Sequence, residues 1–350
     1  MSQDGPEHDG AAPDRSPATS ATADGGDRTD DPVGESADEA DVAARDGRST
    51  GSHDEAAASA IVGEDLAIGY PTTETPVVEC DRLDIPNGEI TALVGPNGSG
   101  KSTLLKTLAR ELAPERGNVV LSGRDIQERS GKELARELGH LSQEHDSPSS
   151  ITVEDLCYHG RYPYRGIFDS LSEDDDAAVE RAMRLAGVEH LATTEVGQLS
   201  GGQRQLAWIA MVLAQDTDVL LLDEPTTFLD LHHQLRVLET LRTLNADEGV
   251  TVCVVLHDIA QAARFADYLI ALRDGEPYDW GPPRQVVTEE LLADVFRVDA
   301  AVRYTPEPEV VPRYALGEAD DEASGQATSG GQSEGSAASE SATDGPAAGE

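Results

Sequence analysis

Apolar positions along this chain come in short blocks whose period changes from one block to the next. From Ile61 to Tyr70 apolar and polar residues alternate, and Val77–Ile85 repeats the pattern, so the two predict an antiparallel strand pair that leaves through the turn Pro86-Asn87-Gly88. Val219–Leu222 and Thr251–Leu256 are continuously apolar, the pattern of strands buried on both faces of a parallel sheet. Ile90–Val94, Asn118–Gly123, Leu138–Gln143 and Tyr268–Leu272 read as further short strands. Between them the period becomes helical: after Gly100, over Lys132–Glu137, from the cap Thr152 onward, from Ser172 to Ala186, over Arg204–Leu213 and over Thr288–Phe296. Strands alternating with helices predict an α/β fold, and the all-helical stretch from Ile151 to about Val196 predicts an inserted lobe.

The patterning stops at both ends. Residues 1–60 are rich in Ala, Gly, Ser, Thr and Asp, and residues 314–350 in Gly, Ser, Ala and acids. Neither stretch holds enough large apolar residues to offset chain entropy, so both are expected to be disordered acidic tails around a folded region at 61–313, with the helical subdomain at about 144–200. The net charge of −41 is not confined to the tails, because 61–313 alone carries −22. Only three lysines occur, Lys101, Lys106 and Lys132, against 23 arginines. An acidic surface of this kind repels a nucleic-acid backbone at ordinary salt, so no nucleic-acid partner is expected. It suits a cytosol of high ionic strength, where screening removes the self-repulsion; an acidic interaction surface and a cation-buffering role are the alternatives. Cys80, Cys157 and Cys253 lack metal-ligand spacing and read as buried thiols of a reducing compartment. No segment approaches 18 successive apolar residues, and the first residues lack the basic and apolar regions of a secretory signal.

The chemistry gathers at the ends of the strands. Ile90–Val94 runs into Gly95-Pro96-Asn97-Gly98-Ser99-Gly100-Lys101-Ser102-Thr103 at the head of a helix. Glycines let backbone N–H groups curl around a polyphosphate, and the helix adds the positive end of its dipole. In that context Lys101 reaches the β/γ-phosphates and Ser102 ligates Mg²⁺, so ATP and Mg²⁺ are the expected cofactors. Val219–Leu222 ends in Asp223, suited to hold the metal, and Glu224, placed to polarise an attacking water. The strand from Thr251 presents His257, and since ligands of open α/β sheets bind at the carboxyl ends of strands, Lys101, Asp223 and His257 converge on one crevice. Three features stay two-valued on position alone. Tyr70 is either a stacking platform for adenine or a surface-strand tyrosine; Gln143 either coordinates Mg²⁺ or positions water, or is a solvated loop residue; and Leu199-Ser200-Gly201-Gly202-Gln203 is either a second phosphate-holding helix start or an ordinary cap.

Taken together, Tyr70, Gly95–Ser102, Gln143, Leu199–Gln203, Asp223-Glu224, Asp230 and His257 resemble the ATP-binding subunit of ABC transporters over roughly residues 61–313. The resemblance implies a P-loop NTPase of ABC type, with a mainly parallel sheet core, an antiparallel β subdomain and the inserted helical subdomain. It implies that Tyr70 stacks on adenine, that Gln143 links the nucleotide site to the helical lobe, and that Ser200, Gly201 and Gly202, with Gln203 behind them, meet the γ-phosphate of ATP held by a second copy. It makes Asp223 the metal residue, Glu224 the catalytic base, Asp230 the D-loop residue, and His257 the switch histidine. Two copies docked head to tail would complete each site, on the cytoplasmic face of the membrane against a polytopic permease, with an extracellular substrate-binding protein as an indirect partner. Within the family, Ile151–Leu156 with Gly160–Gly166, Asp223–Leu231 and Gly281-Pro282-Pro283 look like importers of iron–siderophore complexes. Cobalamin, haem or another metal chelate is the alternative cargo, and a non-transport ABC ATPase acting on DNA or ribosomes is the more distant reading. Leu206, where the family commonly has arginine, and His145–Ser150 after Gln143 depart from the pattern.

Overall fold

The alternation between Ile61 and Ile85 folds as strands β1 (Ser59–Ile68) and β2 (Val78–Pro86), antiparallel and paired Ile61 with Ile85 and Ile68 with Val78. This computed structural model describes residues 59–143, 150–166, 170–306 and 308–317. The expected tails, up to 58 and from 318, and residues 145–149 lie outside them. Beyond β2 come β3 (Ile90–Val94) and helix α1 (Lys101–Leu108), then β4 (Arg116–Leu121) and the short β5 (Arg124–Asp125). Strands β2, β1, β4 and β5 lie side by side in that order as one antiparallel sheet.

Helix α2 (Gly131–Glu137) opens on a capping box of Ser130 with Glu133 and runs straight into β6 (Leu138–Leu141). Helices α3 (Val153–His159) and α4 (Glu173–Ala186) start on boxes of the same kind, Thr152 with Asp155 and Ser172 with Asp175. Helix α5 begins at Gly201 and ends at Ala214, which corrects the expected start at Arg204. The glycine pair is a poor helix former, but Ser200 and Gln203 close a fourth capping box around it and offset that cost.

Strand β7 (Val219–Asp223), helix α6 (Leu231–Glu248), strand β8 (Thr251–Val255), helix α7 (Ile259–Phe265) and strand β9 (Tyr268–Arg273) follow. An edge strand that the pattern did not announce, β10 (Glu276–Gly281), pairs antiparallel with β9. The six-stranded sheet has the order β10-β9-β3-β8-β7-β6, with every pair but the first parallel. Helix α8 (Pro283–Val286) and helix α9 (Glu289–Asp294) lead to the hairpin β11 (Val298–Tyr304) and β12 (Pro308–Ala315). Helix α9 is shorter than Thr288–Phe296 because Thr288 serves as its N-cap, accepting from Leu291 N–H.

Successive residues of the central strands point to opposite faces, and both faces are dry. Ala92, Val94, Leu220, Leu222, Val252 and Val254 belong to the apolar cluster that includes the helical lobe. Leu93, Leu221, Cys253 and Val255 belong to the cluster under α1 and the antiparallel sheet. At about 1.5–3 kcal/mol for each fully buried Val or Leu, this two-sided burial holds the sheet in register. That register sets the ends of the strands level, with Leu93 beside Val255, Val255 beside Asp223, and Leu141 beside Leu222. The loops carrying Gly95, Gln143, Glu224 and His257 therefore leave the sheet along one edge. Cys80, Cys157 and Cys253 are free and buried as expected; burial pushes the first thiol up to about 11 and the second to about 12.

Candidate functional site

The loop from Gly95 to Gly100 needs its glycines. Gly95, Gly98 and Gly100 have φ of 149°, 84° and 95°, and a Cβ on Gly95 would lie 2.3 Å from the Leu272 carbonyl oxygen. Helix α1 begins at once on Gly100, with no side-chain cap and no acid in its first turn, so its N-terminal donors face the loop. Ser99 Oγ is buried and has no partner among the described residues. Lys101 is buried to 6% exposure and its ammonium bonds back to the carbonyls of Gly95, at 3.0 Å, and Pro96, at 2.8 Å. Burial lowers its pKa from the usual lysine value, against the pull of Glu224 and Asp223. Tyr70, at the rim, lies 3.2 Å from Thr103 Oγ1 through its hydroxyl, which ties the ring to the first turn of α1.

Opposite the loop, Asp223 ends β7 fully buried. Ser102 Oγ donates to its Oδ1 at 2.9 Å, while Oδ2 is buried without a partner among the described residues. Burial, and next the neighbouring Glu224 charge, raise the pKa of Asp223, with the Ser102 bond acting the other way. A serine hydroxyl and an unsatisfied carboxylate oxygen form an oxygen-only donor set that suits a hard divalent cation such as Mg²⁺. Glu224 follows with φ 52°, a conformation costly for a side-chain-bearing residue, which swings its carboxylate out of the strand direction. Its side chain is only 9% exposed, and Oε2 lies 2.7 Å from His257 Nε2 and accepts from Gln143 Nε2 at 3.0 Å.

The remaining expected residues gather elsewhere on the chain. Ser200, Gly202, Gln203 and Asp230 line a cleft of about 510 Å³ together with Leu206, His233 and Arg236. Their bonds are local: Ser200 Oγ accepts from Gln203 N–H, Gln203 Oε1 from Ser200 N–H, and Asp230 Oδ1 from His233 N–H as the cap of α6. A Cβ on Gly201 would meet nothing within 4 Å, so this helix start is open. Leu206, the departure from the family pattern, is buried at 7% exposure on the wall of this cleft.

A family model described as ABC transporter matches residues 79–227. The ferric enterobactin transport ATP-binding protein of Escherichia coli (strain K12) is 47% identical over 253 residues, which cover 71% of this chain and 93% of that protein. The chain belongs to the ABC transporter ATP-binding family. The achromobactin transport ATP-binding protein of Dickeya dadantii (strain 3937) is likewise 47% identical over 252 residues, 71% of this chain and 91% of its own length. Among solved structures, an inward-facing transporter assigned to the metal-chelate type superposes with a TM-score of 0.61 at 29% identity, covering 73% of this chain and 98% of that one. A dimeric post-hydrolysis ATP-binding cassette holding ADP and Pi superposes with a TM-score of 0.58 at 29% identity, covering 64% and 99%.

Family membership makes this chain an ATP-binding ATPase subunit, and the fold is the ABC-type P-loop fold expected from the sequence. One polar contact in the crevice lay outside the sequence reading: Thr227 Oγ1 also donates to Glu224 Oε2, at 3.1 Å. The only signal for it is spacing, since a hydroxyl three residues after an acid at a strand end is within reach of that acid when the chain turns there.

Proposed function

We propose that this chain hydrolyses ATP on the cytoplasmic face of a membrane to energise import of an iron–siderophore complex. The observation that carries the proposal is the convergence, along one sheet edge, of the buried Lys101 in its glycine loop, the Ser102–Asp223 pair and the Glu224 carboxylate. In this reading Gly95–Thr103 cradle the phosphates of ATP, with Tyr70 against the adenine, and Ser102, Asp223 and Gln143 hold Mg²⁺. Glu224 polarises the attacking water, His257 and Gln143 steady it, and Ser200–Gln203 with Asp230 close over ATP held by a second copy. The open helix start at Gly201 supports a site shared between copies, since it stands clear of its own chain. No helix among the described residues is long and apolar enough to cross a membrane, so the path for the cargo would come from a permease. The siderophore cargo is supported by the relatives named for ferric enterobactin and achromobactin transport. The acidic, lysine-poor composition supports operation at high ionic strength.

The test has two arms. Glu224→Gln is expected to bind ATP and to lose about 10²–10⁴-fold in turnover; wild-type turnover in that variant would remove Glu224 from the chemistry. A deletion strain is expected to lose uptake of siderophore iron and keep uptake of vitamin B12, and the reverse pattern would reassign the cargo.

A further inference from the structure

Glu224 presents its two oxygens unequally. Oε2 accepts from two donors, Gln143 Nε2 at 3.0 Å and Thr227 Oγ1 at 3.1 Å, and His257 Nε2 lies 2.7 Å from it. A carboxylate oxygen has about two lone-pair directions, so Oε2 is filled, whereas Oε1 accepts nothing among the described residues. Gln143 and His257 reach Oε2 from separate strand-end loops, but Thr227 belongs to the same turn as Glu224, whose carbonyl accepts from Thr227 N–H at 3.1 Å. That turn is bracketed by two non-glycine residues at positive φ, Glu224 at 52° and Phe228 at 66°. A backbone held in so costly a shape leaves the threonine hydroxyl little freedom of direction.

We infer that Thr227 is a positioning residue: its hydroxyl holds Oε2 so that Oε1 is the oxygen turned toward the attacking water. The inference rests on the reading of Glu224 as the group that polarises that water. It assigns Thr227 a share in the rate and none in nucleotide binding, because its hydroxyl touches neither the glycine loop nor Lys101.

The experiment compares steady-state ATP hydrolysis by the full-length chain carrying Thr227→Val, which keeps the shape and loses the hydroxyl, with Thr227→Ser, which keeps the hydroxyl. Glu224→Gln is measured beside them. Thr227→Val is expected to lower kcat about tenfold, a part of the about 10²–10⁴-fold that a positioned base supplies, with KM for ATP unchanged. Thr227→Ser is expected to stay within about twofold of wild type. Wild-type kcat in Thr227→Val, an equal loss in the valine and serine variants, or a loss carried by KM would each overturn the inference and leave Glu224 in its role. Turnover retained in Glu224→Gln would instead overturn the underlying reading.

Discussion

Ser102 and Asp223 share one hydrogen bond of 2.9 Å across the crevice, and it uses only one of the two carboxylate oxygens. The other, Oδ2, is buried and unsatisfied among the described residues, which leaves a costly unpaired oxygen that the proposed Mg²⁺ would engage.

That cost predicts an opposition between stability and function at Asp223. Its folded pKa is raised by burial, so its contribution to stability is present below the ordinary carboxylate range and is lost as the pH rises through the raised value. Ionisation of this side chain is therefore destabilising in the nucleotide-free protein relative to its protonated form. Asp223→Asn is expected to raise the Tm of that form by a few degrees, on the order of 2–6 °C, and to abolish Mg²⁺-dependent hydrolysis. Thermal scans without nucleotide check the first half and phosphate release with Mg²⁺-ATP the second; a lower Tm without nucleotide would contradict the first.

Lys101 makes two bonds to loop carbonyls, which in the proposed site it would exchange for phosphate oxygens. Lys101→Ala is expected to weaken ATP binding by about 10–100-fold, as the loss of charge-assisted bonds implies, measured by isothermal titration calorimetry. Unchanged affinity would remove the loop from nucleotide binding.

In the helical lobe, Arg161 Nε donates to Asp175 Oδ1 at 2.9 Å with both side chains at most 7% exposed. Burial pushes the Asp175 carboxyl up, but the bonds from Arg161 and Ser172 outweigh it and hold the pKa below the usual value. The pair's stabilisation is thus present above the ordinary carboxylate range and is lost as the pH falls through the depressed value. Arg161→Met, which leaves a buried carboxylate unpaired, is expected to cost about 3–5 kcal/mol at pH 7 and less in acid. Urea unfolding at the two pH values checks the difference.

The regions where the fold was readable from sequence, and those where it was not, divide on physical grounds. Strands β3, β7 and β8 are buried on both faces, which demands continuous apolar runs and makes them conspicuous. Strand β10 is an edge strand whose Tyr278 and Trp280 face outward among acids, and β11 and β12 pair mainly with each other, so none of them needs a strong pattern. At the site, Lys101, Asp223 and Glu224 were legible because loop glycines and strand-end acids are set by local sequence. Thr227 was not, because its contact depends on a positive φ at Glu224 that no residue type signals.

Phe228 is 81% exposed, the most exposed of the large apolar side chains among the described residues. In the proposed shared site it faces the second copy. Phe228→Ala, placed in the Glu224→Gln background so that ATP is retained, is expected to weaken ATP-dependent dimerisation at least tenfold, in keeping with about 1.5–3 kcal/mol for a buried Phe. Sedimentation equilibrium measures it, and an unchanged dimer constant would place Phe228 outside the interface.

The bonds from Lys101 to Gly95 and Pro96 also bear on what happens after the chemistry. An emptied loop does not strand a buried cation, because the ammonium has a resting berth among its own carbonyls. In the proposed site ATP would arrive by displacing those carbonyls, and spent nucleotide would depart as they reclaim the lysine. On that reading the same two bonds would temper capture and speed the clearing of the site, which a machine that cycles needs as much as affinity.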